Sequence, residues 1–210
     1  MGTFRKQSLK LPVALIILAG FTTIFSFKQH HSAASSFDLQ TKTPTADAVK
    51  AKAAFMEASK VFFSPRCTNC HTAGDVPTQG DSAKPHEESI SRGKEGKGLA
   101  DGVSCDSCHL EQNAEGDGEP PGVPNWRMPS EDMKMVFQGR TPAQLCRQLK
   151  DPKQNGGKAK LVDAMHHMEA DPLVIWAWSP GGKRALPPLS HKDFMARIKT
   201  WVDNGGACPD

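Results

Sequence analysis

The chain has 210 residues, of which 23% are charged, and its formal net charge is +3. A nearly neutral chain gives no reason to expect a nucleic-acid-binding protein, which depends on a concentrated basic surface. Aromatic residues make up only 7% and tyrosine is absent, so we expect a prosthetic group to supply part of the apolar core.

Residues 1–34 predict an export signal. They combine a basic start, an apolar run of 17 residues over 11–27 and small residues at 32–34, which is typical of a secretory signal peptide. Cleavage after Ala34 and retention as an N-terminal membrane anchor both remain open, because a run of this length is at the short end of what spans a bilayer. Removal of this segment would take away four basic and no acidic side chains, leaving a net charge near −1 (3 − 4). Residues 35–46 predict a flexible tether.

A helix is expected over 47–63, because apolar residues recur there at helical spacing. It leads into the first of two copies of Cys-x-x-Cys-His, which is the attachment sequence of c-type haem. The two thiols form thioether bonds to one porphyrin, and the histidine beside them binds the iron. We therefore predict two covalent haem c groups. The thioether residues are Cys67, Cys70, Cys105 and Cys108, and the proximal iron ligands are His71 and His109.

Two other kinds of site use paired cysteines. Four thiolates could together bind one zinc ion, with both histidines incidental. A disulfide oxidoreductase also carries Cys-x-x-Cys, but its motif belongs to an alternating strand–helix pattern that is absent around both motifs. A histidine directly after each cysteine pair favours haem over both alternatives.

The rest of the chain predicts loops and three further helices. Long Gly- and Pro-rich loops are expected over 72–104 and 111–129, and helices over 141–151, 158–169 and 190–203. The predicted fold is therefore mainly α, with cytochrome c-like helices and long loops wrapped around two covalent haems. A single di-haem cytochrome c domain is expected over 47–210.

Cys146 and Cys208 remain after the haem motifs are assigned. In an oxidising compartment an even pair of cysteines predicts a disulfide. Two buried thiols are the alternative.

Each haem iron needs a second axial ligand if the protein only transfers electrons, and histidine or methionine is the usual choice. His86 lies in the loop between the motifs. His166 and His167 are consecutive on a predicted helix, so they point about 100° apart and cannot both face one iron. Met128, before a proline in an irregular loop, is the main competitor. The candidate distal ligands are therefore His86, His166, His167 and Met128.

The second half of the chain resembles a family of small exported di-haem c-type cytochromes, which are commonly labelled isoquinoline 1-oxidoreductase subunits. The resemblance is carried by 135–152, 155–157, 166–167, 171–174 and 187–191. It implies a redox partner of the molybdenum hydroxylase type, whose electrons the cytochrome would pass to the respiratory chain. It also favours the histidines over Met128 as distal ligands.

Together these features predict a periplasmic electron-transfer protein, either soluble or anchored to the inner membrane, rather than an enzyme. A di-haem peroxidase-like enzyme and a haem-based ligand sensor are the alternatives, and both would leave one iron with an open position. Mature chains of such peroxidases are considerably longer, and no acid–base residue is obviously placed over an iron.

Overall fold

A computed structural model describes residues 45–87, 90–98 and 103–210. The predicted leader over 1–34 and nearly all of the predicted tether over 35–46 lie outside the described residues, so both stay predictions. Within the described ranges, no helix is long and apolar enough to cross a membrane.

Six α-helices form most of the regular structure in the described part of the chain, in agreement with the predicted mainly α fold. Their bounds are α1 Ala46–Phe62, α2 Pro65–Thr68, α3 Pro142–Lys150, α4 Leu161–Ala170, α5 Pro172–Ile175 and α6 His191–Asp203. A two-residue hairpin pairs β1, Thr78–Gln79, antiparallel with β2, Lys84–Pro85. Short 3-10 helices cover Cys105–Ser107, Glu131–Met133 and Trp176–Trp178.

Helix α1 packs against α6 and buries an apolar stripe that includes Ala51, Phe55 and Phe62. The side chain of Thr45 accepts a hydrogen bond from the Ala48 amide and so caps the start of α1. Small alanines on this stripe let α6 approach closely, because they place little volume between the two backbones.

Aromatic rings fill the space between these helices. The Phe55 ring centre lies 4.8 Å from that of Trp201, and Phe62 meets both Phe137 at 5.4 Å and Phe194 at 5.3 Å, edge to face. Rings at these separations stabilise a core beyond the area they bury. Phe137 belongs to the loop before α3, so this core also fixes a loop that reaches the haem motifs.

Helix α3 begins where the sequence predicts. The Thr141 hydroxyl accepts a hydrogen bond from the Gln144 amide, and the Gln144 side-chain oxygen accepts one from the Thr141 amide, which is a capping box. Helix α4 begins at Leu161, three residues later than predicted. The reason is a turn in which the Asn155 side chain accepts from the Lys158 amide and donates to the Leu149 and Lys158 carbonyls.

The segment between α2 and α3 has little regular structure and depends on a buried arginine. Arg92 is 0% exposed, and its guanidinium donates hydrogen bonds to the carbonyls of Thr72, Gly74 and Pro129. Backbone groups far apart in the chain are thereby joined through one side chain. Gly96 lies beside this connection with φ of +73°, and a Cβ there would lie 2.0 Å from the Met128 carbonyl oxygen, so only glycine fits.

The structure joins Cys146 and Cys208 in a disulfide. Cys146 is buried in α3, and the bond ties the segment after α6 back to the helical core across 62 positions of sequence.

Replacing both Cys146 and Cys208 with serine should lower the melting temperature without changing the haem absorption bands. A loop of this length contributes about 2–4 kcal/mol, which corresponds to roughly 5–15 °C in a domain of this size. Thioether bonds resist thiol reductants, so dithiothreitol should lower the melting temperature of the native protein similarly and leave the double variant unchanged. A shifted Soret band in the variant would contradict a purely structural role for this disulfide.

Candidate functional site

The first Cys-x-x-Cys-His motif forms a tight turn at the end of α2. The Cys70 and His71 amides both donate to the Cys67 carbonyl, at 3.3 Å and 3.1 Å. This turn brings the side chains of all three residues to the wall of one cavity, whose volume is about 570 Å³. Cofactor pockets in proteins fall in this range of size.

The second motif repeats the same turn on a different element. The Cys108 and His109 amides donate to the Cys105 carbonyl at 3.3 Å and 2.9 Å, within the 3-10 helix Cys105–Ser107 and the residues after it. Cys105, Cys108 and His109 line a second cavity of about 630 Å³. Equivalent turns at two cavities indicate that both motifs present their side chains for the same chemistry.

Both motif imidazoles are oriented by backbone carbonyls of irregular loops later in the chain. His71 Nδ1 lies 2.7 Å from the Met135 carbonyl oxygen, and His109 Nδ1 lies 2.6 Å from that of Pro121. A carbonyl oxygen only accepts, so Nδ1 must carry the proton in each ring and Nε2 holds the lone pair. Proteins use this arrangement to orient histidines that bind metals.

An aromatic ring also fixes the plane of each imidazole. The rings of His71 and Phe137 stack with centres 3.8 Å apart and planes 7° apart. The rings of His109 and Trp126 stack at 4.4 Å and 4°. The carbonyl therefore fixes the direction in which each imidazole points, and the stacked ring fixes the orientation of its plane.

Burial keeps the first motif uncharged. It raises the pKa of the Cys67 thiol to about 12 and that of Cys70 to about 11, and it lowers the pKa of His71 to about 4. A neutral imidazole is the form that binds iron.

The zinc alternative requires the thiols to converge on one point. In ranges 45–87, 90–98 and 103–210, no group of three or more His, Cys, Asp or Glu side chains is arranged to hold a metal ion. Cys67 lines only the first cavity, Cys105 and Cys108 line only the second, and Cys70 lines both. The four thiols are therefore not gathered around one point, as a single four-thiolate zinc site would require.

Among the distal candidates, His86 faces His109. Both line the second cavity, and their ring centres lie 6.2 Å apart. Metal–imidazole bonds are about 2 Å long and the ring centre lies roughly 1 Å beyond the bonding nitrogen, so two imidazoles on opposite sides of one iron have centres roughly 6 Å apart. The separation of these two rings fits an iron between them.

His167 and His166 are separated by the fold. His167 lines the first cavity with His71, whereas His166 is exposed and lines neither cavity. Asp171 Oδ2 lies 3.3 Å from His167 Nδ1 and 3.3 Å from Arg127 Nη2. A carboxylate at Nδ1 leaves Nε2 as the ligating nitrogen.

Met128 occupies the wall between the cavities. It is 5% exposed and lines both of them, and its amide donates to the Gly96 carbonyl at 2.7 Å. In this position the Met128 side chain could pack against the contents of both cavities.

The two cavities share part of their lining. The residues common to both are Arg66, Cys70, Trp126, Met128 and Trp176. Trp126 and Trp176 meet edge to face with centres 4.8 Å apart, so the two sites are adjacent and separated by side chains. Sequence reasoning did not identify Arg66 or Asp171, because neither lies at a spacing that marks a ligand.

Comparison with known proteins supports haem attachment at the Cys-x-x-Cys-His motifs. The family described as cytochrome c554 and c-prime matches residues 21–110, fewer than half of the 210 and including both motifs. No curated protein and no solved structure matches the chain. The family match supports a c-type cytochrome with covalently bound haem c. It does not support the isoquinoline 1-oxidoreductase label that the second half of the sequence resembles.

Replacing Phe137 with leucine should disturb one haem only. The substitution removes the ring that stacks on His71, so the imidazole should rotate and change the electron paramagnetic resonance spectrum of one ferric haem. Phe55→Leu is the matched control, because Phe55 is equally buried in the core but lines neither cavity. Both variants should lose roughly 1–2 kcal/mol of stability. An unchanged spectrum in the Phe137 variant, or an equal change in both, would contradict the stacking role.

Proposed function

We propose that this protein is a di-haem c-type cytochrome that transfers electrons. The observation that carries the proposal is the repeated geometry of the two motifs. Each turn presents two thiols and an imidazole to its own cavity, and each imidazole has Nδ1 bound to a backbone carbonyl. These are the features that covalent haem requires of a polypeptide.

Each haem would be held by one motif. Cys67 and Cys70 form the thioethers of the first haem and His71 its proximal ligand. Cys105, Cys108 and His109 do the same for the second. The bound haem supplies a one-electron Fe(II)/Fe(III) couple, and the surrounding side chains set its potential by ligation, burial and hydrogen bonding.

Histidines complete both coordination spheres in this proposal. His86 is the distal ligand opposite His109, supported by the 6.2 Å separation of their rings. His167 is the distal ligand in the cavity of His71, supported by its carboxylate partner Asp171. With two imidazoles on each iron no coordination position stays open, which is the condition of an electron carrier. The absence of a methionine ligand predicts lower potentials than in His/Met cytochromes.

The shared wall supports electron transfer between the two haems. Trp126 touches His109 and also Trp176, and both tryptophans line both cavities. Two redox groups on opposite sides of one layer of side chains are close enough to exchange electrons. One haem would receive the electron from a donor and the other would pass it to an acceptor.

The proposed location and partners rest on features of the sequence. Residues 1–34 would direct the chain to the periplasm, where covalent haem is attached and the Cys146–Cys208 disulfide is stable. The resemblance of 135–191 to cytochrome subunits supports a dehydrogenase of the molybdenum hydroxylase type as donor and the respiratory chain as acceptor.

Intact-mass and absorption measurements on protein from a host with cytochrome maturation test the main proposal. The expected mass is that of the polypeptide plus two haems, and both haems should be low-spin in each oxidation state. A mass without two haems, or one that contains zinc, would refute the proposal. Two haems with a high-spin component that binds carbon monoxide would favour the peroxidase or sensor alternative.

Adjacent histidines provide a matched test of the distal ligands. Replacing His167 with alanine should make one haem high-spin and able to bind carbon monoxide, because an axial nitrogen is lost. Replacing His166 with alanine should leave both haems low-spin, since that side chain is exposed on the same helix. The His86→Ala variant should leave an open axial position on the iron of the second haem. A spin change on loss of His166, or no spin change on loss of His167, would show that His167 is not the distal ligand of the first haem.

A further inference from the structure

Arg66 is a buried cation at the junction of the two cavities. It lies in α2 directly before Cys67, is 7% exposed and lines both cavities. Burial lowers the pKa of its guanidinium, which reflects the cost of removing the charge from water. A buried cation persists only where anions or acceptors surround it.

The protein satisfies only part of this guanidinium. Arg66 Nη2 lies 2.6 Å from Asp81 Oδ1, and both carboxylate oxygens of Asp81 also accept from the Ala185 amide. The Asp81 side chain is half exposed, so the pair is not fully withdrawn from solvent. Arg66 Nε, in contrast, is a buried donor with no hydrogen-bond partner in the part of the chain that the structure describes. Such a donor is costly unless another molecule provides an acceptor.

Arg92 shows what a purely structural arginine looks like in the same region. It is completely buried and lines neither cavity. Its Nη atoms donate to three backbone carbonyls and to the Thr72 hydroxyl. Its Nε, like that of Arg66, makes no hydrogen bond within the described residues, although it lies 3.4 Å from Asp75 Oδ1 in an ion pair. Arg66 differs in two respects: its guanidinium makes one hydrogen bond to the protein, to Asp81, where that of Arg92 makes four, and it lines both cavities, where two cofactors would meet.

We propose that Arg66 is an anion-binding residue shared by the two haem cavities and that its Nε–H donates to a haem propionate carboxylate. This inference rests on the proposed function, since the propionate arrives with the haem. The contact would anchor the acidic edge of the porphyrin beside the first motif. A cation so close to both sites would also favour Fe(II), which carries one positive charge less than Fe(III).

Potentiometric titration of the holoprotein tests this role with three variants. Arg66→Gln should lower the midpoint potential of at least one haem by roughly 59 mV, a tenfold shift of a one-electron equilibrium. Arg147→Gln is the control, because it removes the same charge from an exposed position on α3 that lines neither cavity. It should leave both potentials unchanged. Asp81→Asn breaks the ion pair but keeps the cation, so it should not lower either potential.

The outcomes separate the possible roles. Equal potentials in the native protein and Arg66→Gln would overturn the proposal, and so would a decrease of the same size in Asp81→Asn, because the ion pair alone would then explain the effect. Absence of two haems from the native protein would instead refute the proposed function.

If Arg66→Gln yields no holoprotein, the Arg66→Lys variant tests the contact between Nε and the propionate. Lysine keeps the charge but lacks the Nε–H, so the propionate bending band in the resonance Raman spectrum should shift while the potentials stay near the native values. An unchanged band would overturn the assignment of Nε to the propionate.

Discussion

The hydrogen bonds from the two motif imidazoles to loop carbonyls are the constraint on which the site depends. Each motif alone is a short turn that could direct its histidine in several ways. The carbonyls of Met135 and Pro121 select one tautomer and one direction for His71 and His109. Both acceptors belong to irregular loops, so the orientation of the ligands depends on how those loops are held. This explains why a buried arginine joins the loop backbones and why Phe137 extends from the helical core to the first imidazole.

The helical core and the irregular segments around the two motifs differ in how they are stabilised. Helices α1 and α6 bury aromatic rings against one another and close on α3 through the disulfide. The motifs begin in α2 and in the 3-10 helix Cys105–Ser107, and each is followed by a segment with little secondary structure. Those segments bury few apolar side chains of their own, which is consistent with two porphyrins completing the hydrophobic interior. The proposed electron carrier therefore uses its cofactors both as redox centres and as packing material.

The helices and motif residues were predictable because their signals are local. Thr141-Pro142 marked the start of α3, and Asn204-Gly205-Gly206 marked the end of α6. The late start of α4 was not predictable, because it depends on the Asn155 side chain binding the Leu149 carbonyl. Sequence also left open which of His86, His166 and His167 are distal ligands, although the family resemblance favoured them over Met128. Only the tertiary arrangement separates them, since the exposure of His166 depends on which side of α4 packs against the protein, and the approach of His86 to His109 depends on the path of the loops. For the same reason the pairing of Asp171 with His167 was missed.

The wall common to both cavities includes one of the motif cysteines. Cys70 lines the second cavity as well as the first, so its side chain borders both sites. A porphyrin in the second cavity would therefore lie beside three cysteines instead of two. If both motifs carry haem, the Cys70 thioether of the first haem would form part of the wall around the second.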